Sequence, residues 1–401
     1  MYRRTFLAAL RGANDRIRVG FIGAGGRAKW LMKNEQFTGA QIVAVADCWP
    51  QRLAELEGIR PDAGDWKRYT HYRQLLDHAK ELDAVFVETP THARALICLE
   101  AMQAGLDVYA EKPLALTVEE GQLLTRAARR YKKIVQVGTQ QRSMPINIHA
   151  SRLVRDGKIG RVKEVIVCNF LAPARWKALE PEPMPAGLDW EQWVNQTEMR
   201  PYHSQMHRGW MKWRDYDGGG QSWGVSGWGT HSLDQVQAAL GTDHTGPVEI
   251  QVESVAPDSP VTLRYASGTL VRLTQPMIKD HQQLGAIFVG TEGRLQILRG
   301  DFVPEHVELK KGAPDVLPEG AGENAPHLAN FFDCLRSRKR PNADVEIGHR
   351  STTVCILVNI ARELGRSLEW DPAKETFPRD AEARALLRRD RRVGFALPKL
   401  I

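Results

Sequence analysis

Two side chains have the chemistry to act on an oxygen atom: Lys112, within Glu111-Lys112-Pro113, and His231, within Trp228-Gly229-Thr230-His231. Lys112 follows the apolar run Asp107-Val108-Tyr109-Ala110, so its ammonium falls at the carboxyl end of a strand, where an open α/β sheet places ligands. There it can bond a reacting oxygen and hold the charge that develops on it. A neighbouring positive charge disfavours a second one, which brings the lysine pKa toward a range useful for proton transfer. Glu111 fits a positioning role. His231 opens a helix in which Leu233, Val236, Ala239 and Leu240 share a face and Gly241 marks the end. The positive end of the helix dipole disfavours an imidazolium, leaving a neutral imidazole able to take a hydroxyl proton. Asp234, three residues on, shares that face and is placed to orient the ring. The plainer readings are an exposed turn for Glu-Lys-Pro and a helix-capping histidine.

The elements that must position these groups are announced by Ile17 to Ile22, a short apolar run followed by Gly23-x-Gly25-x-x-Ala28 and a helical stretch through Asn34. Strand, glycine turn and helix form the context in which this spacing binds a dinucleotide. Gly23 permits the turn, Gly25 lets backbone approach a pyrophosphate, and Ala28 lets helix and strand pack closely. The helix's free N–H groups then face the phosphates. The next strand, Gln41 to Ala46, ends in Asp47, close to the ~20-residue spacing of the acid that bonds an adenosine ribose. That carboxylate repels a 2′-phosphate, so NAD is expected over NADP. A flavodoxin-like sheet with an inconsequential Asp is the competing reading.

With 401 residues, two domains are expected. A hydrophobic content of 42% with 26% charged residues describes a soluble protein, and no apolar run approaches the ~20 residues of a transmembrane helix. The net charge of +7 owes much to Arg379, Arg384, Arg388, Arg389, Arg391 and Arg392. Asp380, Glu382 and Asp390 are interleaved with them and no recognition motif is present, so neither a nucleic-acid nor a membrane partner is expected. The five cysteines are scattered without a CxxC pair, which suggests neither a disulfide framework nor zinc. His203 and His207 stand four apart but lack a third ligand, so no metal is expected. Residues 1–14 begin Arg3-Arg4-Thr5-Phe6-Leu7, like a twin-arginine signal with its apolar region cut short by Arg11. The protein is expected in the cytoplasm as the chain stands, with periplasmic export as the alternative.

Strand and helix signals alternate over residues 15–138: strand 81–88, helix 93–105, strand 107–110, a Thr117-x-x-Glu120 capping box opening the helix 117–131, and strand 134–138. This predicts an α/β Rossmann domain with a parallel sheet. Residues 139–401 predict an α+β domain. It has helices over 146–156, 327–337 and 349–364 and strands over 162–170, 248–255, 262–265, 269–275, 286–290 and 295–298, forming an open, mostly antiparallel sheet. Such a sheet needs covering, plausibly by another copy of the chain. Between them, Trp176, Trp190, Trp193, Trp210, Trp213, Trp223 and Trp228 crowd into one region, mostly as core, with one or two walling a pocket.

With the glycine turn, Glu111-Lys112-Pro113 and Trp228-Gly229-Thr230-His231, the chain resembles the Gfo/Idh/MocA oxidoreductases over nearly its whole length. Gly138-Thr139-Gln140-Gln141-Arg142-Ser143, Asp189-Trp190-x-x-Trp193, Arg200-Pro201-Tyr202 and Leu368-Glu369-Trp370-Asp371-Pro372 point to one branch of that family. The resemblance implies NAD as cofactor, a sugar or cyclitol carbon as the reacting centre, and a homodimer or homotetramer. It implies catalysis by Lys112 and His231. Cofactor contacts are expected at Gly23, Ala24, Gly25, Gly26, Arg27 and Asp47, and at Thr89, Pro90, His92, Glu111, Lys112 and Gln140. Substrate contacts are expected at Lys112, Arg142, Trp176, Tyr202, His203, Trp228 and His231. Two departures stand out. Gly227 occupies the Asp position of the family's Asp-x-x-x-His, and Thr91 and Arg94 replace Asn and His in its Thr-Pro-Asn-x-x-His. Besides a dehydrogenase, Gly227 admits an NAD-dependent glycoside hydrolase working by transient oxidation, elimination and re-reduction, or a non-catalytic NAD-binding protein.

Overall fold

The computed structural model describes residues 16–217, 224–276, 284–316 and 323–400. The segment 1–14 and Trp223, both weighed above, lie outside the described residues. The first sheet is built from β1 (Ile17–Ile22), β2 (Ala40–Ala46), β3 (Lys67–Tyr69), β4 (Ala84–Val87), β5 (Asp107–Ala110) and β6 (Val135–Val137). Its order is β3-β2-β1-β4-β5-β6, and every pairing is parallel. β4 and β5 are buried throughout, which is why they read as continuous apolar runs. The order reverses between β1 and β4, and a doubly wound sheet opens its ligand crevice at that point, beyond the carboxyl ends of the strands.

The second sheet comprises β7 (Glu164–Cys168), β8 (Pro247–Val252), β9 (Val261–Tyr265), β10 (Leu270–Gln275), β11 (Ala286–Val289), β12 (Arg294–Ile297), β13 (Phe302–Pro304) and β14 (Leu368–Glu369). Its order is β13-β12-β11-β7-β10-β9-β8-β14. All its pairs are antiparallel except β7 with β10. β13 and β14, too short to show a pattern, are not legible in the sequence. Alternation sets the faces: Ala286 and Phe288 point into the core while Ile287 and Val289 stay half-buried. On the same outer side Arg272 pairs with Glu164 at 2.6 Å.

The helix Val345–Leu364 lies between the two halves, touching β6, β8 and the helices Val118–Arg130 and Gly229–Leu240. Glycines make that closeness possible. A Cβ on Gly348 would fall 2.6 Å from the Cβ of Val137. That neighbour is fixed to a strand backbone and cannot swing away, so Gly348→Ala is expected to cost about 1–3 kcal/mol through overpacking. The urea midpoint should fall accordingly; an unchanged midpoint would count against this contact.

Two local expectations change. The helix Val118–Arg130 has half a capping box: Thr117 Oγ1 accepts from Glu120 N at 3.2 Å, but the Glu120 carboxylate turns to Leu116 N at 2.9 Å and to Arg391. The helix Ala325–Ser337, far along the chain, returns to the first sheet. There Leu328, Phe331 and Phe332 join Phe21, Phe86 and Tyr109 in one core, with Phe331 edge-on to Phe86 at 5.8 Å.

Candidate active site

At the end of β1, Gly23 adopts φ +94° and donates its N–H to Ala46 O at 2.8 Å. A Cβ there would meet the Glu88 backbone at 3.0 Å, so the turn needs glycine. Gly25 caps the helix Gly26–Asn34 with no side-chain bond to its free N–H groups. A Cβ on Gly25 or Gly26 would meet nothing within 4 Å, so these glycines leave room rather than fill it. Open space before unsatisfied N–H groups fits a pyrophosphate. Asp47 closes the other side: Oδ2 accepts from Ala24 N at 2.7 Å and Oδ1 from Trp49 N at 2.9 Å. Gly23, Gly25, Gly26, Arg27, Asp47, Thr89 and Pro90 line one cavity, roofed by Trp193, His207 and Trp210. His92 faces elsewhere. Its Nε2 meets Trp193 O at 2.7 Å, and its ring packs against Trp193 and Tyr216. Burial there drives its pKa down to about 4.

Beyond β5, Glu111 accepts from Arg27 Nε at 2.9 Å, from Lys112 N at 2.9 Å and from Gln140 Nε2 at 3.4 Å. Gly138 makes room for it: a Cβ there would press on the Glu111 carboxyl at 3.0 Å. Burial opposes the Glu111 charge, but Arg27 and Lys112 outweigh it and hold the carboxylate ionised. Lys112 Nζ donates to Gly227 O at 3.0 Å and lies 5.8 Å from the Trp228 ring centroid. Burial lowers its pKa from 10.5, against the pull of Glu111 and Asp217.

His231 sits in the first turn of the helix Gly229–Leu240 and is 4% exposed. Burial, then the charges of Lys112 and Arg299, push its pKa well below 6.5. The neutral imidazole expected from the helix dipole is therefore held mainly by desolvation and neighbouring cations. Its Nδ1 is buried without a partner among the described residues. Asp234 does not orient it. That carboxylate takes Arg142 Nε at 2.8 Å and Ser351 Oγ at 2.6 Å. Arg142 also holds Asp243 at 2.9 Å, so its guanidinium is committed to internal pairs rather than to a substrate hydroxyl.

Other expected substrate contacts also have internal partners. Trp176 lies edge-on to Trp213 at 5.0 Å with the Arg200 guanidinium 4.6 Å from its centroid. Tyr202 packs on Trp190 at 5.1 Å. His203 caps the turn Ser204–His207, accepting from Gln205 N at 3.0 Å, and meets Glu182 at 3.1 Å. Among the described residues no cluster of His, Cys, Asp and Glu could hold a metal, and no helix is long and apolar enough to cross a membrane.

A second cavity, about 510 Å³, includes Ala115, Leu116, Asp217, Ser226 and Asn359 in its wall and shares no residue with the first. It reaches the Lys112 neighbourhood through Ser226, next to Gly227, and Asp217, which accepts from Thr91 Oγ1 at 2.9 Å. Its size falls within the ~300–1,000 Å³ usual for small ligands. Asp217 in the second cavity, Glu88 in the first and Arg299 near His231 are neighbours of these groups that sequence reasoning missed. Only Glu88 carried a signal: like Asp47, it is an acid closing an apolar strand.

These features define a dinucleotide-binding protein in which Lys112, just beyond β5, reaches the Gly227 carbonyl next to the helix that carries His231. Residues 17–139 match the NAD-binding Rossmann fold of an oxidoreductase family, and residues 152–397 match that family's C-terminal alpha/beta domain. The chain belongs to the Gfo/Idh/MocA family. An inositol 2-dehydrogenase of Rubrobacter xylanophilus is 30% identical over 159 residues, 38% of this chain and 43% of that protein. A glycosyl hydrolase family 109 protein of Shewanella pealeana is 29% identical over 173 residues, 41% of this chain and 38% of that protein. The chain thus spans less than half the length of these two relatives. A 1,5-anhydro-D-fructose reductase of Ensifer adhaerens is 24% identical over 88% of this chain and 98% of its own. In fold, the chain is similar to the WlbA dehydrogenase of Bordetella pertussis, solved with NADH and UDP-GlcNAcA. The TM-score is 0.61 at 18% identity, covering 87% of this chain and 96% of that one.

Proposed function

We propose that this protein is an NAD-dependent oxidoreductase acting on a secondary alcohol of a sugar or cyclitol. Bound NAD supplies a hydride-accepting ring. The chain's own residues do the rest: His231, neutral, accepts the hydroxyl proton, and Lys112 stabilises the oxygen as negative charge builds on it. The observation that carries this reading is the run of contacts from Arg27 in the glycine-turn helix through Glu111 to the Lys112 backbone, with the Lys112 ammonium bonded to Gly227 O four residues before His231. The inositol 2-dehydrogenase and anhydrofructose reductase relatives support the substrate class. Gly227 offers its carbonyl to Lys112, so the lysine is anchored without the family's aspartate. The half-buried Ile287 and Val289 on the outer sheet face support assembly into a homo-oligomer.

A panel of inositols, hexoses and uronates with NAD should give NADH absorbance with at least one member. Silence across the panel from a protein that binds NAD would turn the reading to a non-catalytic one. Glycoside cleavage by transient oxidation is the second reading, favoured by the family 109 relative and by Gly227. Its signature is aglycone release from nitrophenyl glycosides without added NAD.

A further inference from the structure

Glu88 closes β4 and is used by nothing described so far. Its backbone N–H bonds Ile22 O at 2.9 Å, fixing it between β1 and β4 at the switch point of the sheet. The residue is 8% exposed, and both carboxyl oxygens are buried without a hydrogen-bond partner. Yet it forms part of the wall of the cavity lined by Gly23, Gly25, Gly26, Arg27 and Asp47.

The groups around it do not supply a partner. Arg27, from the glycine-turn helix, spends Nε on Glu111 and Nη2 on Asn324. Arg94, from the helix Thr91–Gln103, is held by Pro113 O, Thr89 O and Thr91 Oγ1. Glu111, just beyond β5, is an anion, and the Tyr109 phenol on β5 is buried and un-ionised. A buried carboxyl with two empty oxygens is costly unless something arrives to satisfy it.

We propose that Glu88 binds the dinucleotide directly, its carboxyl group hydrogen-bonding oxygen atoms of the cofactor's ribose–phosphate portion. This rests on the glycine-turn cavity being the NAD site. Burial, then the Glu111 charge, raise the Glu88 pKa well above 4.5 against Arg27 and Arg94. Glu111, bonded to Arg27, keeps the charge and Glu88 keeps the proton. A neutral carboxyl donates to a phosphate or ribose oxygen and accepts from a ribose hydroxyl, whereas an ionised one beside a pyrophosphate repels it. The bound form therefore favours the proton, and NAD affinity falls as pH rises through the Glu88 pKa of the free protein.

NAD dissociation constants for the parent, Glu88→Gln and Glu88→Ala, followed by quenching of tryptophan fluorescence, test this from about pH 6 upward through the range of about 8–9 documented for buried glutamates. Glu88→Gln keeps a donor and an acceptor, so it should bind within about threefold of the parent near pH 6 and stay flat as pH rises while the parent weakens. Glu88→Ala should lose about tenfold or more near pH 6, where the parent carries the proton, and the gap should close as the parent weakens at higher pH. Without NAD, Glu88→Ala should melt at or above the parent, since it removes an unpaired buried carboxyl, and Glu88→Gln close to it, since its amide is equally unpaired; this separates lost binding from lost fold. Near pH 6, Glu88→Ala binding like the parent or Glu88→Gln losing as much as Glu88→Ala would overturn the proposal, as would Glu88→Gln reproducing the parent's pH profile. A parent that binds no NAD at any pH would remove the cavity's assignment, and the proposal with it.

Discussion

Replacing Lys112 by methionine should lower kcat by about 10²–10³-fold, the scale of losing one donor to a developing oxyanion, while NAD affinity changes little. Methionine keeps the length and apolar body of the side chain beside Trp228, so the loss reports the ammonium rather than the packing. The parent's alkaline limb carries the second signature. Burial lowers the Lys112 pKa from 10.5, and the useful form is the cation, so activity should fall as pH rises, beginning below the range of an ordinary lysine. The methionine variant should lack that limb. Turnover retained in Lys112→Met would place the reacting oxygen elsewhere.

What the sequence revealed and concealed follows from the range of the interactions involved. β1, the glycine turn and Asp47 were legible because strand, turn and acid lie within one local unit whose spacing the backbone dictates. Glu111, Lys112 and His231 were legible as residues at the ends of elements. Their partners were not. Asp234 shares a face with His231 at i+3, and local geometry alone assigns it to that imidazole. The pairing was decided instead by Arg142, 92 residues away, and Ser351, 117 residues away. His92 sits beside the expected Thr89-Pro90 stretch, yet the start of a helix turns it into the tryptophan cluster. The helix Ala325–Ser337 read correctly as a helix, but nothing in its own pattern announces that it covers the first sheet. Amphipathic periodicity fixes which face is buried, not against what.

Substituting His231 by alanine should cost about 10²–10⁴-fold in turnover, the range for a lost general base, and the pH profile separates this role from a structural one. A base must be unprotonated. An exposed histidine with its usual pKa near 6.5 would cost the parent about tenfold per unit as pH falls below that value. His231 is held well below 6.5 by burial and by Lys112 and Arg299, so kcat should stay flat through that region. What ends activity on the acid side is the fold. His92 and His327 are kept neutral with pKa values of about 4 against the usual 6.5. Between those values the unfolded chain takes up protons that the folded chain refuses, so stability is full above about 6.5 and falls as pH drops toward about 4. Over the same pH series the circular-dichroism melting temperature should therefore fall below about pH 6.5 while kcat stays flat until the fold itself is lost, and the far-UV signal of His231→Ala should stay native where its turnover is already lost. An acid limb in kcat centred near 6.5, with the melting temperature still at its neutral-pH value, would show that His231 titrates as an exposed histidine and is not the desolvated base inferred from its surroundings.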